Sequence, residues 1–330
     1  MPHMNRWLVA APLSVALGLL LSWLDVPAAW ILAGILGAGS VALVTEEDLP
    51  VNRHLFTFAR GTVGVLAALP LVGMNPLPYI VPGVVAGAAV ISLGFAGGLV
   101  LANHGVSRET GVLSLLPGGA SLMPALARDA GADIRYVSLS QYLRLLCVSM
   151  TLPLVASLFD APEGVHADTE TVWWMWVAVP ALIVLGVGAG TLLRFPNPSV
   201  FGPMALTVLV GTLVDVTIVP PALLSIVGFL AIGWMCGGGL SVPALRQFAR
   251  LLPATLAYIA GLMAACAGMG WLIAKWLGLS FYEGYLATSP GALETVLALA
   301  TSPAVVALQV IRLIMVILFA GWLPKALRRL

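Results

Sequence analysis

Two pairs of polar residues interrupt apolar stretches of this chain with the same internal spacing. Gln141 and Arg144 lie in "QYLRLL", and Gln309 and Arg312 lie in "QVIRLI". Residues three positions apart share one face of a helix, so each pair places an amide beside a guanidinium. Each arginine could attract an anionic solute, or it could donate to carbonyl groups that a broken helix leaves free, or reach the membrane surface. Arg60 is a further arginine in an apolar stretch, and we expect it near the inner membrane interface.

Each glutamine–arginine pair follows a proline–glycine break. The first break is in "SLLPGGASLM" (114–123) and the second is in "SPGALETV" (289–296). Proline ends a helical turn and glycine lowers helix propensity. In a bilayer, such irregular backbone is tolerated only where protein or a water-filled cavity covers it. Helix ends at a break expose N–H and C=O groups that could hold an ion or a polar solute.

One carboxylate lies close to a break. Glu294 follows Pro290 by four positions, and Ser121 is at the matching position of the first break. This acid could bind a coupling proton or sodium ion, or it could form a salt bridge with Arg144 or Arg312. The glycines of the breaks would admit a ligand to the backbone, and the arginines would pair with its anionic groups. The predicted substrate- and ion-binding residues are Gly118, Gly119, Ser121, Gln141, Arg144, Ser289, Gly291, Glu294, Gln309 and Arg312.

The composition predicts an all-α polytopic membrane protein that is embedded in a lipid bilayer. The chain has 330 residues, of which 60% are hydrophobic and 9% are charged, whereas soluble domains average about 25% charged residues. The net charge is +1 and no basic run occurs, so we expect no nucleic-acid partner. The four histidines are scattered and the three cysteines form no CxxC pair. We therefore expect no metal site, no cofactor and no enzymatic activity.

A membrane span needs about 20 apolar residues. Two apolar pieces, 109–127 and 284–301, are each split by a break into halves that are too short to cross alone. We therefore predict about ten full transmembrane helices and two broken or re-entrant segments. The predicted spans are 7–24, 27–44, 56–73, 78–102, 136–158, 173–193, 198–216, 219–240, 250–274 and 304–324.

The two halves of the chain resemble each other. The two breaks, the two glutamine–arginine pairs and, more weakly, "DVPAAWILAG" and "RFPNPSVFGP" occur in the same order, with offsets of 290 − 117 = 173, 312 − 144 = 168 and 196 − 27 = 169. We predict a first transmembrane repeat over 1–159, an extracytoplasmic linker over 160–171 and a second transmembrane repeat over 172–330.

Positive charges favour repeats of opposite orientation. Lys and Arg prefer cytoplasmic loops. If both broken segments cross the membrane, the loop charges divide 7 to 5 between the two sides, but if each enters and leaves on one side, 11 of 12 lie inside. A third arrangement, in which 56–73 and 219–240 fail to cross, divides them 9 to 3. The sequence therefore predicts two inverted repeats and leaves open which segment does not cross.

The segment "LPGGASLMPALARDAGADIRYVSLSQYLRLL" resembles the signature of the AbrB family of duplicated bacterial membrane proteins. "SPGALETVLALATSPAVVALQVIRLI" is similar to its second copy, and "DVPAAWILAGILGAG" also fits. The sequence departs from the family pattern at Leu122, where a glutamate is common, and at Ala292, which replaces the second glycine. The family has also been labelled as regulators of gene expression and as ammonia monooxygenases. The breaks are further similar to the broken helices of bile-acid/sodium symporters and cation/proton antiporters.

These features together predict a secondary transporter of a small solute, which the arginines suggest is anionic, with its site where the two broken helices meet. The coupling ion would be a proton or sodium. The alternative is a membrane sensor or regulatory protein that binds a ligand without transporting it. The resemblance implies the bacterial inner membrane, the charge distribution places both termini in the cytoplasm, and a homodimer remains an open possibility.

Overall fold

The computed structural model describes residues 3–26, 28–117, 123, 126–127, 130–159, 172–195, 197–239, 242–291 and 293–327. Over these ranges the protein is helical and contains no β-strand. The first half contributes α1 (His3–Trp23), α2 (Ala29–Thr45), α3 (Arg53–Ala68), α4 (Leu77–Ala102), α5 (Arg108–Leu115) and α6 (Ile134–Leu158). The second half contributes α7 (Met175–Leu192), α8 (Pro198–Val214), α9 (Ala222–Gly238), α10 (Val242–Gln247), α11 (Leu252–Leu277), α12 (Phe281–Thr288), α13 (Leu293–Leu299) and α14 (Pro303–Leu327).

Six helical segments of the described chain are long and apolar enough to cross a membrane, and four shorter apolar helices accompany them. The six are Arg6–Trp23, Arg53–Leu71, Leu77–Ala102, Ile134–Leu158, Met175–Leu192 and Leu252–Leu277, and the four are Ala29–Thr45, Pro198–Val214, Ala222–Gly238 and Pro303–Phe319. Large apolar side chains such as Leu8, Val184 and Leu192 are exposed on the outer faces of these helices. Lipid tails cover such faces without cost, and the prediction of an all-α membrane protein is confirmed.

The described helices follow the same order in the two halves of the chain. Four of the paired helices have equal lengths: 17 residues in α2 and α8, 26 in α4 and α11, 8 in α5 and α12, and 25 in α6 and α14. The other two pairs differ slightly, with 21 residues in α1 against 18 in α7 and 16 in α3 against 17 in α9. The backbone matches in detail as well. The described non-glycine residues with positive φ are Asp25, Ala28 and Glu46 in the first half and Arg194, Asn197 and Asp215 in the second. The differences 194 − 25, 197 − 28 and 215 − 46 are each 169, so this sparsely populated conformation recurs at equivalent positions.

The two halves interlock through close helix crossings. A Cβ added to Gly34 of α2 would lie 2.9 Å from the Cα of Gly233 in α9, and one added to Gly237 would collide with the Ile35 carbonyl. Residues further along α2 contact residues further along α9, so the two helices run parallel. A Cβ on Gly64 of α3 would likewise collide with the Val200 carbonyl of α8. The second helix of each half therefore packs against the third helix of the other half.

The short helices α5 and α12 lie before the two breaks and share their capping pattern. Ser107 and Ser280 begin them, and each hydroxyl accepts from a backbone N–H three residues later at 3.2 Å. Each helix ends where the backbone becomes extended, at Leu116 (ψ 127°) and Ser289 (ψ 129°). A proline follows each of these residues and disfavours a helical conformation there. The breaks therefore lie where the proline–glycine motifs predict them.

Candidate functional site

The carbonyl groups at the end of α5 are bound by the first glutamine–arginine pair. Gln141 Nε2 donates to the carbonyls of Leu113 (2.7 Å), Ser114 (3.2 Å) and Leu116 (3.1 Å). Arg144 Nη1 donates to the carbonyls of Leu115 (3.3 Å) and Leu116 (3.0 Å). The last carbonyls of a helix lack intrahelical partners and carry partial negative charge. The sequence left three roles open for Arg144: attraction of an anion, binding of freed carbonyls and contact with the membrane surface. In the described structure Arg144 binds freed carbonyls.

The second pair binds the end of α12 in the equivalent way. Gln309 Nε2 donates to the Leu286 carbonyl (2.5 Å), and Arg312 Nη1 donates to the Ser289 carbonyl. Gln309 and Arg312 are buried in the protein, as are Gln141 and Arg144. Residues further along each short helix contact residues further along the long helix that follows its break. The short helix and the long helix therefore run parallel, α5 beside α6 and α12 beside α14.

The two breaks lie next to each other. A Cβ added to Gly291, in the second break, would lie 3.0 Å from Nε of Arg144. Arg144 therefore hydrogen-bonds with the first break and contacts the second. One turn beyond, the hydroxyls of Ser149 in α6 and Thr295 in α13 are 3.1 Å apart. Side chains from both halves of the chain thus form one polar cluster in an apolar protein.

Glu294 pairs with a residue that the sequence did not assign to it. Its Oε1 lies 3.1 Å from Nε of Arg60, whose guanidinium also covers the Phe56 ring at 4.3 Å. The predicted salt bridge with Arg144 or Arg312 is therefore wrong in its partner. The reason is that α13 packs against α3, so its first turn faces Arg60. With 22% and 16% of their side-chain surfaces exposed, Arg60 and Glu294 are accessible, unlike the buried pairs at the breaks.

Seven of the predicted site residues belong to this cluster or border it: Gln141, Arg144, Ser289, Gly291, Glu294, Gln309 and Arg312. Gly118, Gly119 and Ser121 lie outside the described residues. Three residues of the cluster, Arg60, Ser149 and Thr295, are absent from the predicted set. The sequence could have indicated Arg60 as a site residue, because it is a charge within an apolar stretch. Nothing in the sequence distinguishes Ser149 from other membrane serines. In the part of the chain that the structure describes, no three His, Cys, Asp or Glu residues come together as metal ligands.

The fold and the site define a class: a helical membrane protein in which two short helices from matching halves of the chain end at breaks that meet at buried arginines. Within this class the chain belongs to the AbrB family, because the family model described as "Transition state regulatory protein AbrB" matches residues 30–328. The chain is 33% identical to "Putative regulator AbrB" of Escherichia coli (strain K12) over 327 residues, covering 95% of this chain and 94% of that protein. It is 24% identical to "Uncharacterized protein YhjN" of Bacillus subtilis (strain 168), covering 95% of this chain and 90% of that protein.

Proposed function

We propose that this protein is a secondary transporter of a small anionic solute, with the solute site between the two breaks. The observation that carries the proposal is the position of Arg144, which hydrogen-bonds with the first break and contacts Gly291 of the second. Paired broken helices of this kind form the substrate and ion sites of many secondary transporters. A solute bound there would contact both halves of the chain, as a carrier requires.

The charge of the cluster favours an anion. Both guanidinium groups lie at the second break, because Arg144 contacts Gly291 and Arg312 donates to the Ser289 carbonyl. The C-terminal ends of α5 and α12 each offset roughly half an elementary charge. Glu294, which could have neutralised one guanidinium, is paired with Arg60 instead. Positive charge therefore remains at the breaks and would attract a carboxylate or another small anion.

Helix directions support an inverted relation between the repeats. α2 and α9 run parallel, and the main-chain N–H of Leu49, just beyond α2, donates to the Gly238 carbonyl at the end of α9 (2.9 Å). The connection over 46–52 returns the chain into α3. α3 and α9 occupy the same place in their repeats, so in this proposal these equivalent helices run in opposite directions.

The starts of the short helices favour segments that enter and leave on one side. The Asp133 N–H, at the start of α6, donates to Thr110 Oγ1 in the first turn of α5 (3.0 Å). The start of α6 would therefore lie at the same depth in the membrane as the start of α5, and α6 would cross from there. The second break would have the same arrangement, because Leu286 and Gln309, which are in contact, lie at similar distances from the starts of α12 (Phe281) and α14 (Pro303). Two such segments from opposite sides would place both breaks within the membrane, where one bundle could move against the other for alternating access.

The location of the protein and its coupling ion follow the expectations from the sequence. The protein would lie in the bacterial inner membrane with both termini in the cytoplasm, would act without enzymatic chemistry or a cofactor, and would couple transport to a proton or sodium gradient. Glu294 is the carboxylate that would bind the coupling ion or exchange its partner Arg60 during the cycle.

A second candidate is a membrane sensor that binds the same solute without transporting it. The observation that favours it is the name of the E. coli relative, which describes that protein as a regulator. Such a protein would bind the solute at the breaks and would carry no flux.

Solute flux in proteoliposomes separates the two candidates. Purified protein would be tested with small carboxylates and amines under imposed proton and sodium gradients, beside Glu294→Gln and Arg312→Ala. Thr207→Val is the matched control, because Thr207 is a buried hydroxyl of α8 without a hydrogen-bond partner and is not part of the polar cluster. A carrier gives gradient-driven uptake that either site variant abolishes and the control retains. Binding to wild type without uptake of any solute would contradict transport and favour the sensor.

A further inference from the structure

The second break contains buried polar atoms whose hydrogen-bonding capacity is unused. Ser289 Oγ, Gln309 Oε1 and Arg312 Nε have no partner among the described residues, and neither does Arg144 Nε, which faces Gly291. These four side chains have exposures of 0%, 0%, 4% and 3%. Most buried polar groups in proteins are hydrogen-bonded, because an unsatisfied one loses its hydration without compensation. Four such atoms in one cluster point to a binding site.

The glutamine of the first pair does not leave its oxygen free in this way. The oxygen of Gln141 accepts from Arg144 Nη2 at 2.6 Å, whereas the equivalent oxygen of Gln309 accepts nothing. Position 116, which is equivalent to Ser289, is occupied by leucine, so no hydroxyl exists there. Among the described residues of the two glutamine–arginine pairs and of the helix ends that they bind, the free acceptors are therefore Gln309 Oε1 and Ser289 Oγ of the second break.

The chemical types of these atoms define the ligand that would satisfy them. The two Nε–H groups are charged donors and suit a carboxylate. The orientation of the Gln309 amide is fixed, because only its nitrogen can donate to the Leu286 carbonyl, so its free oxygen must accept. The Ser289 hydroxyl can also accept. The site therefore offers donors for an anion and acceptors for an O–H or N–H group.

The two kinds of group lie close together. Arg312 donates to the Ser289 carbonyl, so its guanidinium is beside the residue whose hydroxyl is free. Gln309 is one helical turn before Arg312 on the same face. A ligand that meets both needs has its donor group near its carboxylate. We infer that the second break binds a small carboxylate with a hydroxyl or amino group on the adjacent carbon, an inference that rests on the proposed solute site.

Matched pairs of acids test this ligand class. The probes are propionate beside lactate and alanine, and succinate beside malate and aspartate, with affinity measured by titration calorimetry on the purified full chain. Because each added hydrogen bond to a buried acceptor strengthens binding, the substituted acid of at least one pair should bind about 10-fold or more tighter than its parent. Ser289→Ala should remove most of this preference, and Thr207→Val should keep it.

Two results would overturn the inference: equal affinity within every pair, including the case in which no probe binds, or a preference that Ser289→Ala leaves intact. Thermal unfolding of Ser289→Ala establishes that the variant is folded, and Ser289→Thr, which retains the hydroxyl, should recover part of the preference. Flux assays separate this inference from the transport proposal. Selective binding without flux contradicts transport alone, whereas flux of parent and substituted acids with equal affinity contradicts the ligand class alone.

Discussion

The two breaks share one motif but differ in how completely it is used. At the first break, Gln141 and Arg144 make six hydrogen bonds, one of which links the two side chains. At the second break, Gln309 and Arg312 make two with residues that the structure describes. The first pair is therefore mainly a structural cap for α5, whereas the second has polar atoms that the proposed ligand would bind. If the proposed site is correct, one capping motif stabilises the fold in one copy and forms a solute site in the other.

The largest expected effect is on stability at the first break. Arg144→Ala removes three hydrogen bonds and leaves buried acceptors unpaired, so we expect a loss of roughly 3 kcal/mol or more in unfolding free energy. Arg312→Ala removes one carbonyl contact and should cost less while abolishing transport. Thermal unfolding in detergent compares the two variants. Equal destabilisation would contradict the division of roles between the breaks.

Reversal of the accessible ion pair should have the next largest effect. Arg60→Glu alone places a second carboxylate beside Glu294 and should abolish flux. Glu294→Arg alone creates two adjacent guanidinium groups with the same result. The double reversal restores the pair and should recover measurable flux, with a coupling free energy of roughly 1–3 kcal/mol from unfolding of the four proteins. Additive effects of the two changes would show that the pair is not a functional unit.

A smaller effect is expected where the two breaks touch. Gly291→Ala places a Cβ about 3.0 Å from Arg144 Nε, so the guanidinium must shift while it is held by the first break. We expect about 1 kcal/mol of destabilisation. Gly261→Ala is the matched control, because a Cβ at Gly261 meets no atom within 4 Å, and that change should leave stability equal or higher. If the two alanine variants unfold alike, the breaks are not in close contact.

The smallest effect concerns the hydroxyl pair that links the halves. Thr295→Val keeps the side-chain shape and removes the hydrogen bond with Ser149. We expect a loss of about 0.5–1.5 kcal/mol, against no loss for Thr207→Val. The same thermal unfolding assay measures both variants. A cost for Thr295→Val no greater than that for Thr207→Val would mean that this contact does not stabilise the cluster.

Local sequence signals predicted most of the fold and part of the site. The proline–glycine breaks identified where α5 and α12 end, because this effect is local to the chain. The glutamine–arginine spacing identified the buried polar pairs and offered freed carbonyls as one of several partners for the arginines. The weak match of "DVPAAW" and "RFPNPS" corresponds to equivalent left-handed residues such as Asp25 and Arg194. The pairing of Arg60 with Glu294 could not be predicted, because it depends on how α13 packs against α3, more than two hundred positions earlier in the chain.

The most direct test of the central claim measures access to Ser289 from each side of the membrane. Ser289→Cys would be placed in a chain whose native cysteines, Cys147, Cys236 and Cys266, are replaced by alanine, after its stability and flux have been checked. Right-side-out and inside-out vesicles would then be treated with a membrane-impermeant thiol reagent. Alternating access predicts labelling from both sides, at rates that a bound 2-hydroxy or 2-amino acid lowers. Labelling from neither side, or from one side only under every gradient, would contradict the proposal that the breaks form a transport site.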